Sequence, residues 1–402
     1  MAFTQGISGL AAASANLDVI GNNIANSGTI GFKSGGVTFQ DVYAGSRIGL
    51  GTAVAGIVQN FAQGAVQTSS RPLDVAITSG DGFFRLNSPS GEVAYSRNGQ
   101  FTSDKDGYIV NAAGLRLTGV AAAVGGGLIG GTPSALQIPT AAINANPTSS
   151  AISQFNLDAR GVVPTGGAFD PTKSATYNYS NALTIYDSLG NPHELATFFV
   201  KTGANAWDVY GTADGQLPAF TMTPSSVTFD TNGKLTLPAD GKLSTPALTF
   251  AGATAQTIAM DISGSTQFGN INAVNKLTQN GYASGVMTSF AINPDGTLTG
   301  KYSNEQTKLL GQIVLASFAN PNGLTPMGNN VWAETAASGQ PLIGQPGAGT
   351  KQGALASGAL ESSNIDLTAE LVNLIVAQRT YQANAQTVKT QDQVMQTLVN
   401  LR

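Results

Sequence analysis

Proline partitions this chain. All 17 prolines lie between Pro72 and Pro346, so the first 71 and the last 56 residues contain none. Proline removes a backbone donor and collides with the preceding helical turn. Long helices are therefore permitted at the two ends and repeatedly interrupted between them.

The apolar spacing at the ends uses that permission. Phe3, Ile7, Leu10, Ser14, Leu17, Gly21 and Ile24 follow a 4-3 alternation, and five of the seven are apolar. Leu367, Leu371, Leu374, Gln378, Tyr381, Ala385, Val388, Asp392, Met395 and Val399 repeat it at the other end, with eight of ten apolar. A 3.5-residue period is the seam of a coiled coil. Ser362, Ser363, Asn364 and Asp366 are N-cap candidates for the second helix, and Glu370 suits its first turn. With no glycine stop, this helix is expected to reach about Arg402. Either helix alone fits an amphipathic segment lying on its own globular core. Their position at opposite extremes, with the same narrow seam, favours pairing of the two ends and then lateral assembly. The other faces of the first helix are Ala, Ser, Asn, Thr and Gly, small enough to pack on several sides.

Between the ends the signals are β. Residues 33–71 read as a Gly-rich, extended connector. Alternating runs such as Leu73–Ile77, with turns at Asp81-Gly82, Asn98-Gly99, Asp106-Gly107 and Ala113-Gly114, predict short strands. An Ala/Gly stretch, Val120 to Gly131, marks a boundary. Further strands are expected at Leu183–Tyr186, Ala196–Val200 and Trp207–Tyr210, and the first style resumes after Asn280-Gly281. The expected fold is a mainly β, multi-domain chain with a coiled coil made by its N- and C-terminal segments. The domains are nested: terminal helices at 1–32 and 360–402, a β core from 72–144 and 281–359, and an inserted outer β domain at 145–280.

Composition narrows the function. Charged residues are only 10% of the chain, against about 25% in an average soluble domain. Such a surface suits a subunit that faces neighbours. There is no cysteine and a single histidine, which excludes disulfides, thiolate metal sites and a cysteine nucleophile. Lys and Arg total 19 against 23 Asp and Glu, with no basic stripe, so nucleic acid is not an expected partner. No run approaches the roughly 18 apolar residues of a membrane span, and no basic leader precedes an apolar segment, so neither membrane insertion nor a cleaved signal peptide is expected.

Catalytic motifs fail on context. Gly125-Gly-Gly127-Leu-Ile-Gly130 matches G-x-G-x-x-G, but Thr132-Pro133 follows where a helix should start and no acidic residue appears until Asp158. His193 and Glu194 are adjacent in a predicted strand and so point to opposite faces. Asp104 and Asp106 are too few carboxylates for a calcium loop. No catalytic, cofactor or metal site is expected, and the chain is not expected to be an enzyme.

Several segments together resemble one family. Asn16–Asn26 (NLDVIGNNIAN) followed by Gly31-Phe-Lys33 is similar to the N-terminal signature of bacterial flagellar axial proteins of the rod and hook type. Ser363–Asp366, Glu370–Asn373 and Gln378–Asn384 resemble the matching C-terminal signature. Arg71–Ile77, Gly82-Phe-Phe84 and Tyr95–Phe101 resemble the β core these proteins share. The inserted middle domain, with Tyr302–Gln306 and Leu310–Ala316, resembles the hook-forming branch.

The resemblance implies a structural subunit that polymerises into a hollow, bendable tube and transmits motor torque as a universal joint. It implies export through the flagellar type III apparatus without a cleaved signal, an extracellular place in the hook, and no cofactor. The implied partners are further copies of the chain, the distal rod protein, the hook cap protein and the hook–filament junction protein. Phe39 and Tyr43 match an element implicated in engaging the export gate; an aromatic pair on a strand face is the alternative. Two other readings are a distal rod subunit and an extracellular adhesive or carbohydrate-binding β protein.

Overall fold

A computed structural model describes residues 2–43, 49–123 and 127–400. Gly125 and Gly126 of the glycine motif, and Arg402 at the expected helix end, lie outside those residues. The chain is mainly β with a helix at each end: α1, Ala2–Ala25, and α2, Leu367–Asn400. It divides into two compact units. Unit 1 comprises residues 1–140, 289–301 and 307–402, and unit 2 comprises 141–288 and 302–306.

Both helices have identifiable ends. The Asp366 carboxylate accepts from the backbone N–H groups of Thr368 (2.9 Å) and Ala369 (3.2 Å), satisfying donors that the first turn of α2 leaves unpaired. Of the other cap candidates, Asn364 is used differently. It accepts from Ser34 N–H and donates to Asn60 C=O. At the end of α1, Asn26 donates to Asn22 C=O and Ser27 Oγ to Ile24 C=O, covering exposed carbonyls. The chain then turns at Gly31, whose φ is +70°. A side chain there would meet Asn98 backbone at 2.7 Å, so glycine is required on two counts.

Residues 33–71 hold more order than an extended connector. Strands β1 (Gly35–Asp41) and β2 (Thr52–Gln59) pair as an antiparallel hairpin with a bulge at Thr38/Phe39. Val37, Val54, Ile57 and Val58 give these segments β propensity that glycine dilutes. The hairpin packs along α1, where Gln5 donates to Gly49 C=O and Asn23 donates to Gly35 C=O. Its residues are otherwise largely exposed.

Both flanks of the chain build the β core of unit 1. Strand β3 (Val66–Thr68) pairs with Ala359–Glu361, and β4 (Val75–Thr78) with Ala354–Ser357. Strand β5 (Phe83–Asn87) lies between β6 (Val93–Ser96) and Leu315–Ser317, while β6 pairs with Val331–Ala333. Phe83, Tyr95, Phe318 and Trp332 are buried together, with Phe61 against them. Their rings meet edge to face, Phe83 to Phe318 at 5.8 Å and Phe61 to Trp332 at 5.6 Å, the geometry aromatic quadrupoles favour.

Unit 2 has its own core. Tyr179–Tyr186, Pro192–Gly203, Ala206–Ala213 and Phe220–Phe229 form an antiparallel meander. Ser150–Asp158 pairs antiparallel with Ala273–Gln279 and parallel with Ala259–Asp261 and Thr266–Phe268. Phe155, Leu195, Phe199, Trp207 and Val227 are buried between them. Trp207 Nε1–H donates to Gln267 Oε1 at 2.9 Å, so its polar edge is satisfied.

One turn design recurs in both units. In Asp104-Lys-Asp-Gly-Tyr108 the Asp104 carboxylate accepts from the N–H groups two and four residues on, at 2.9 and 2.8 Å. Asp187-Ser-Leu-Gly-Asn191 does the same at 2.9 and 2.8 Å, with Gly190 at φ +87°. Asn111 and Asp230 repeat it. Asp104 is thus a turn former, and the turns it and Asn111 build are the ones predicted at Asp106-Gly107 and Ala113-Gly114.

Candidate assembly surface and the junction below it

The two ends do meet, running antiparallel. Gly6 lies under Val388, Gly9 under Asn384, and Asn23 donates to Glu370 Oε1 at 3.0 Å. Within the chain, α1 thus meets α2 through a face next to the predicted stripe. The buried and half-buried positions Gly6, Gly9, Ala13, Asn16, Ile20 and Asn23 sit one residue, about 100°, round the helix from the predicted set. The physical reason is size. A Cβ on Gly6 would come within 2.7 Å of Val388 Cγ2, and one on Gly9 within 2.7 Å of Asn384 Oδ1. The faces that lack side chains allow the helices to approach, and the larger apolar residues are left outside.

The predicted α1 stripe lies beside this contact and is in part open to solvent. Phe3 and Ile7 are 46% and 48% exposed, and Leu10, Leu17 and Ile24 are half-buried. On α2 the positions most covered are Glu370, Leu374, Ala377, Asn384, Val388 and Gln391. Leu374 and Val388 belong to the predicted seam, and Ala385 beside them is half-buried. Leu367, Leu371, Tyr381, Met395 and Val399 are exposed, Val399 to 70%. Leucine, isoleucine and phenylalanine aligned on solvent-facing helices form an apolar patch of the kind that marks a protein interface. Phe39, at the β1 bulge, and Tyr43, just beyond the strand, are also exposed.

At the root of the helices lies a charge cluster that sequence reading missed. Lys33 Nζ contacts Glu361 Oε1 at 2.6 Å, with both side chains wholly inaccessible. Lys33 also donates to Ala62 C=O (2.7 Å), and Glu361 Oε1 accepts from Gly64 N–H (2.8 Å). Arg97 reaches Glu361 Oε2 at 3.5 Å, donates to Gly80 C=O at 2.9 Å and lies over the Phe83 ring. Burial pushes the Lys33 ammonium and the Arg97 guanidinium below their ordinary values, with Glu361 opposing the shift in both. The three residues stand just after α1, beyond β6 and just before α2, so the cluster ties both helix roots to the β core. Lys33 and Arg97 fall within motifs already singled out, but no local pattern pairs residues some 330 positions apart.

Other marked residues are accounted for structurally. His193 contacts Asp187 and Asp214 rather than Glu194. Among the described residues no group of acidic or histidine side chains is arranged to hold a metal, and no helix is long and apolar enough to cross a membrane.

Comparison with known proteins agrees along the chain. Residues 4–33 match the family described as flagella basal body rod protein, and 356–401 match the flagellar basal body rod FlgEFG protein C-terminal family. Residues 76–165 match the flagellar hook protein FlgE/F/G D1 domain, and 156–282 the flagellar basal body protein FlaE D2 domain. Terminal helices, a shared β core and a second β unit together define a flagellar axial protein of the rod and hook class. The flagellar hook protein FlgE of Escherichia coli K12 is 48% identical over 407 residues, and that of Salmonella typhimurium LT2 is 49% identical over 409, each match covering 100% of both chains. The chain belongs to the flagellar hook protein family, whose members are structural subunits and not enzymes. A crystal structure of Helicobacter pylori flagellar hook protein FlgE2 shares the fold, with TM-score 0.52 at 15% identity over 74% of this chain and 99% of that one.

Proposed function

We propose that this hook subunit polymerises into a hollow tube through its terminal helices, which form an inner coiled-coil layer, while the β units form the outer layers and slide against their neighbours as the tube bends. Unit 1 holds the terminal helices with a β core, and unit 2 contains the inserted β segment 145–280. The observation that carries this reading is the apolar stripe with Phe3 and Ile7 exposed and Leu10, Leu17 and Ile24 half-buried, on a helix that already packs on α2 through another face. Leu367, Leu371, Tyr381, Met395 and Val399 extend the same apolar supply on α2. The tube transmits torque from rod to filament as a universal joint. The distal rod protein lies below it, the hook cap protein above it during growth, and the junction protein between hook and filament. The subunit reaches this extracellular position through the flagellar type III export apparatus without a cleaved signal, Phe39 and Tyr43 serving as the export element.

The test is Ile7→Asp and Leu371→Asp in the full chain. Both side chains are exposed in the monomer, so folding should change by no more than about 0.5 kcal/mol. Each substitution would bury an unpaired charge in the polymer, at a cost of several kcal/mol per subunit. Electron microscopy and sedimentation should show tubes for the parent and folded, unpolymerised subunits for the variants. Tubes of either variant would refute the assignment of the stripe.

A further inference from the structure

The only histidine of the chain sits in an arrangement that assembly does not require. His193, at the start of the strand Pro192–Gly203 in unit 2, has both ring nitrogens against carboxylates. Nδ1 is 2.7 Å from Asp214 Oδ2, and Nε2 is 3.3 Å from Asp187 Oδ2. Its ring stacks on Phe250, with centroids 3.6 Å apart and planes 16° from parallel. The imidazole is 16% exposed and Asp187 is 1% exposed.

A neutral imidazole carries one N–H and one lone pair, and ionised carboxylates only accept. Either neutral tautomer would therefore set a ring lone pair against a carboxylate oxygen. Only the imidazolium supplies two donors, and its charge also suits the face of Phe250. We propose that His193 is a doubly protonated clip that fastens three segments of unit 2 to one another and loosens when it gives up a proton.

The three segments are distinct. Asp187 opens the turn 187–191, Asp214 follows the strand Ala206–Ala213, and Phe250 lies in the loop between Ser244 and Ala259. The groups facing the ring leave the clip's charge balance to these residues. The neighbouring Glu194 alternates to the other face of the strand, and its N–H donates to Asp214 Oδ1. Residues 245–257, which pack on the ring and on the turn through Thr254 N–H to Ser188 Oγ, contain no charged side chain. Ala145 and Ala283, which lie against Gly190, stand in segments 141–148 and 280–286, also without charge. Asp187 keeps three other donors, Leu189 N–H, Asn191 N–H and Asn191 Nδ2–H, so it remains an anion when the histidine is neutral.

The sign follows. Burial works against the imidazolium, but the two carboxylates overcome it and hold the histidine above its usual value. The stabilisation is fully present below the ordinary histidine pKa, about 6.5, and is lost as pH rises through the folded value. Unit 2 is tighter on the acid side of neutrality.

A chain with one histidine reports on itself. Imidazole nitrogen NMR of the full chain labelled with 15N-histidine should show both nitrogens protonated at pH 6.5 and a titration above that of a free histidine. Asp214→Asn should return the titration toward the free value. Urea unfolding of unit 2, followed by Trp207 emission in a Trp332→Phe background, should move to lower midpoints between pH 6 and 8, and His193→Gln should remove that slope. A neutral ring at pH 6.5, or the same slope in His193→Gln, overturns the proposal. If His193→Gln does not fold, the parent titration and its response to Asp214→Asn decide alone.

Discussion

Replacing Glu361 with glutamine keeps the shape of the side chain and removes the charge on which the junction turns. Lys33 would keep its contacts to Ala62 C=O and to a glutamine oxygen, but its ammonium would be wholly buried without a counter-charge. The new amide nitrogen would stand where Oε2 now receives Arg97 at 3.5 Å, donor against donor. Breaking a buried pair by removing one partner costs about 3–5 kcal/mol. A second route gives a ceiling: lysine can shed its proton, which at pH 7 costs about 5 kcal/mol from the ordinary pKa. The two figures agree, so unit 1 should lose about 3–5 kcal/mol. The chain has two tryptophans, Trp332 in the core of unit 1 and Trp207 in that of unit 2. Trp207→Phe therefore isolates the unit 1 transition. In that background Glu361→Gln should lower the urea midpoint by more than about 1 M, while the Trp207 signal of a Trp332→Phe partner stays in place. Adding Lys33→Met should restore part of the loss, a coupling of at least about 1.5 kcal/mol in a double-mutant cycle. A cost below about 1 kcal/mol, or additivity of the two substitutions, would refute the argument that the charges hold the junction.

Three further outcomes follow from the same reasoning. Gly9→Leu should drive a side chain into Asn384 and separate α1 from α2, seen as lost helical circular dichroism and early proteolysis of both ends with the Trp332 transition little changed. Gly99→Ala would put a methyl 1.6 Å from Val75 C=O, and that backbone oxygen has nowhere to go; unit 1 should lose about 3 kcal/mol or more by urea titration. Asp187, although burial opposes it, is held down to about 2 by hydrogen bonds from Asn191, His193 and Leu189. Its contribution is present above an ordinary aspartate pKa near 4 and lost as pH falls toward 2. Asp187→Asn should flatten the acid limb of unit 2 unfolding and cost roughly 2 kcal/mol at neutral pH.

Much of this fold was legible because its signals are local. A proline-free stretch, an Asp366 cap and an Asp-x-x-Gly turn each act over a few residues. The structure has a helix at each end and turns at Asp106-Gly107 and Ala113-Gly114, though not at Asp81-Gly82 or Asn98-Gly99. Ala359–Glu361 is a strand where the second helix was expected to begin. The face through which α1 meets α2 was not legible, because hydrophobic periodicity locates the largest side chains. The helix pairs through its smallest ones, and only the partner's position reveals why Gly6 and Gly9 matter. The hairpin at 35–59 was read as connector because glycine masked its β-branched residues. Lys33, Arg97 and Glu361, like His193, Asp187 and Asp214, are brought together by sheet topology, which sequence spacing does not encode. Glu194 drew attention beside His193 simply by adjacency.

The pairing of β3 and β4 with residues 354–361 also sets an order of events. The strands of the unit 2 meander pair with sequence neighbours within residues 179–229. Unit 1 must wait, because β3 and β4 find their partners nearly 300 residues later. A chain emerging from its N-terminus would carry two open strand edges and an α1 packed only on its hairpin until residues 354–400 arrive. Loop closure over that distance is slow, and open edges invite wrong pairings. The topology therefore works as a completeness check: the junction from which both helices spring cannot form in an unfinished subunit.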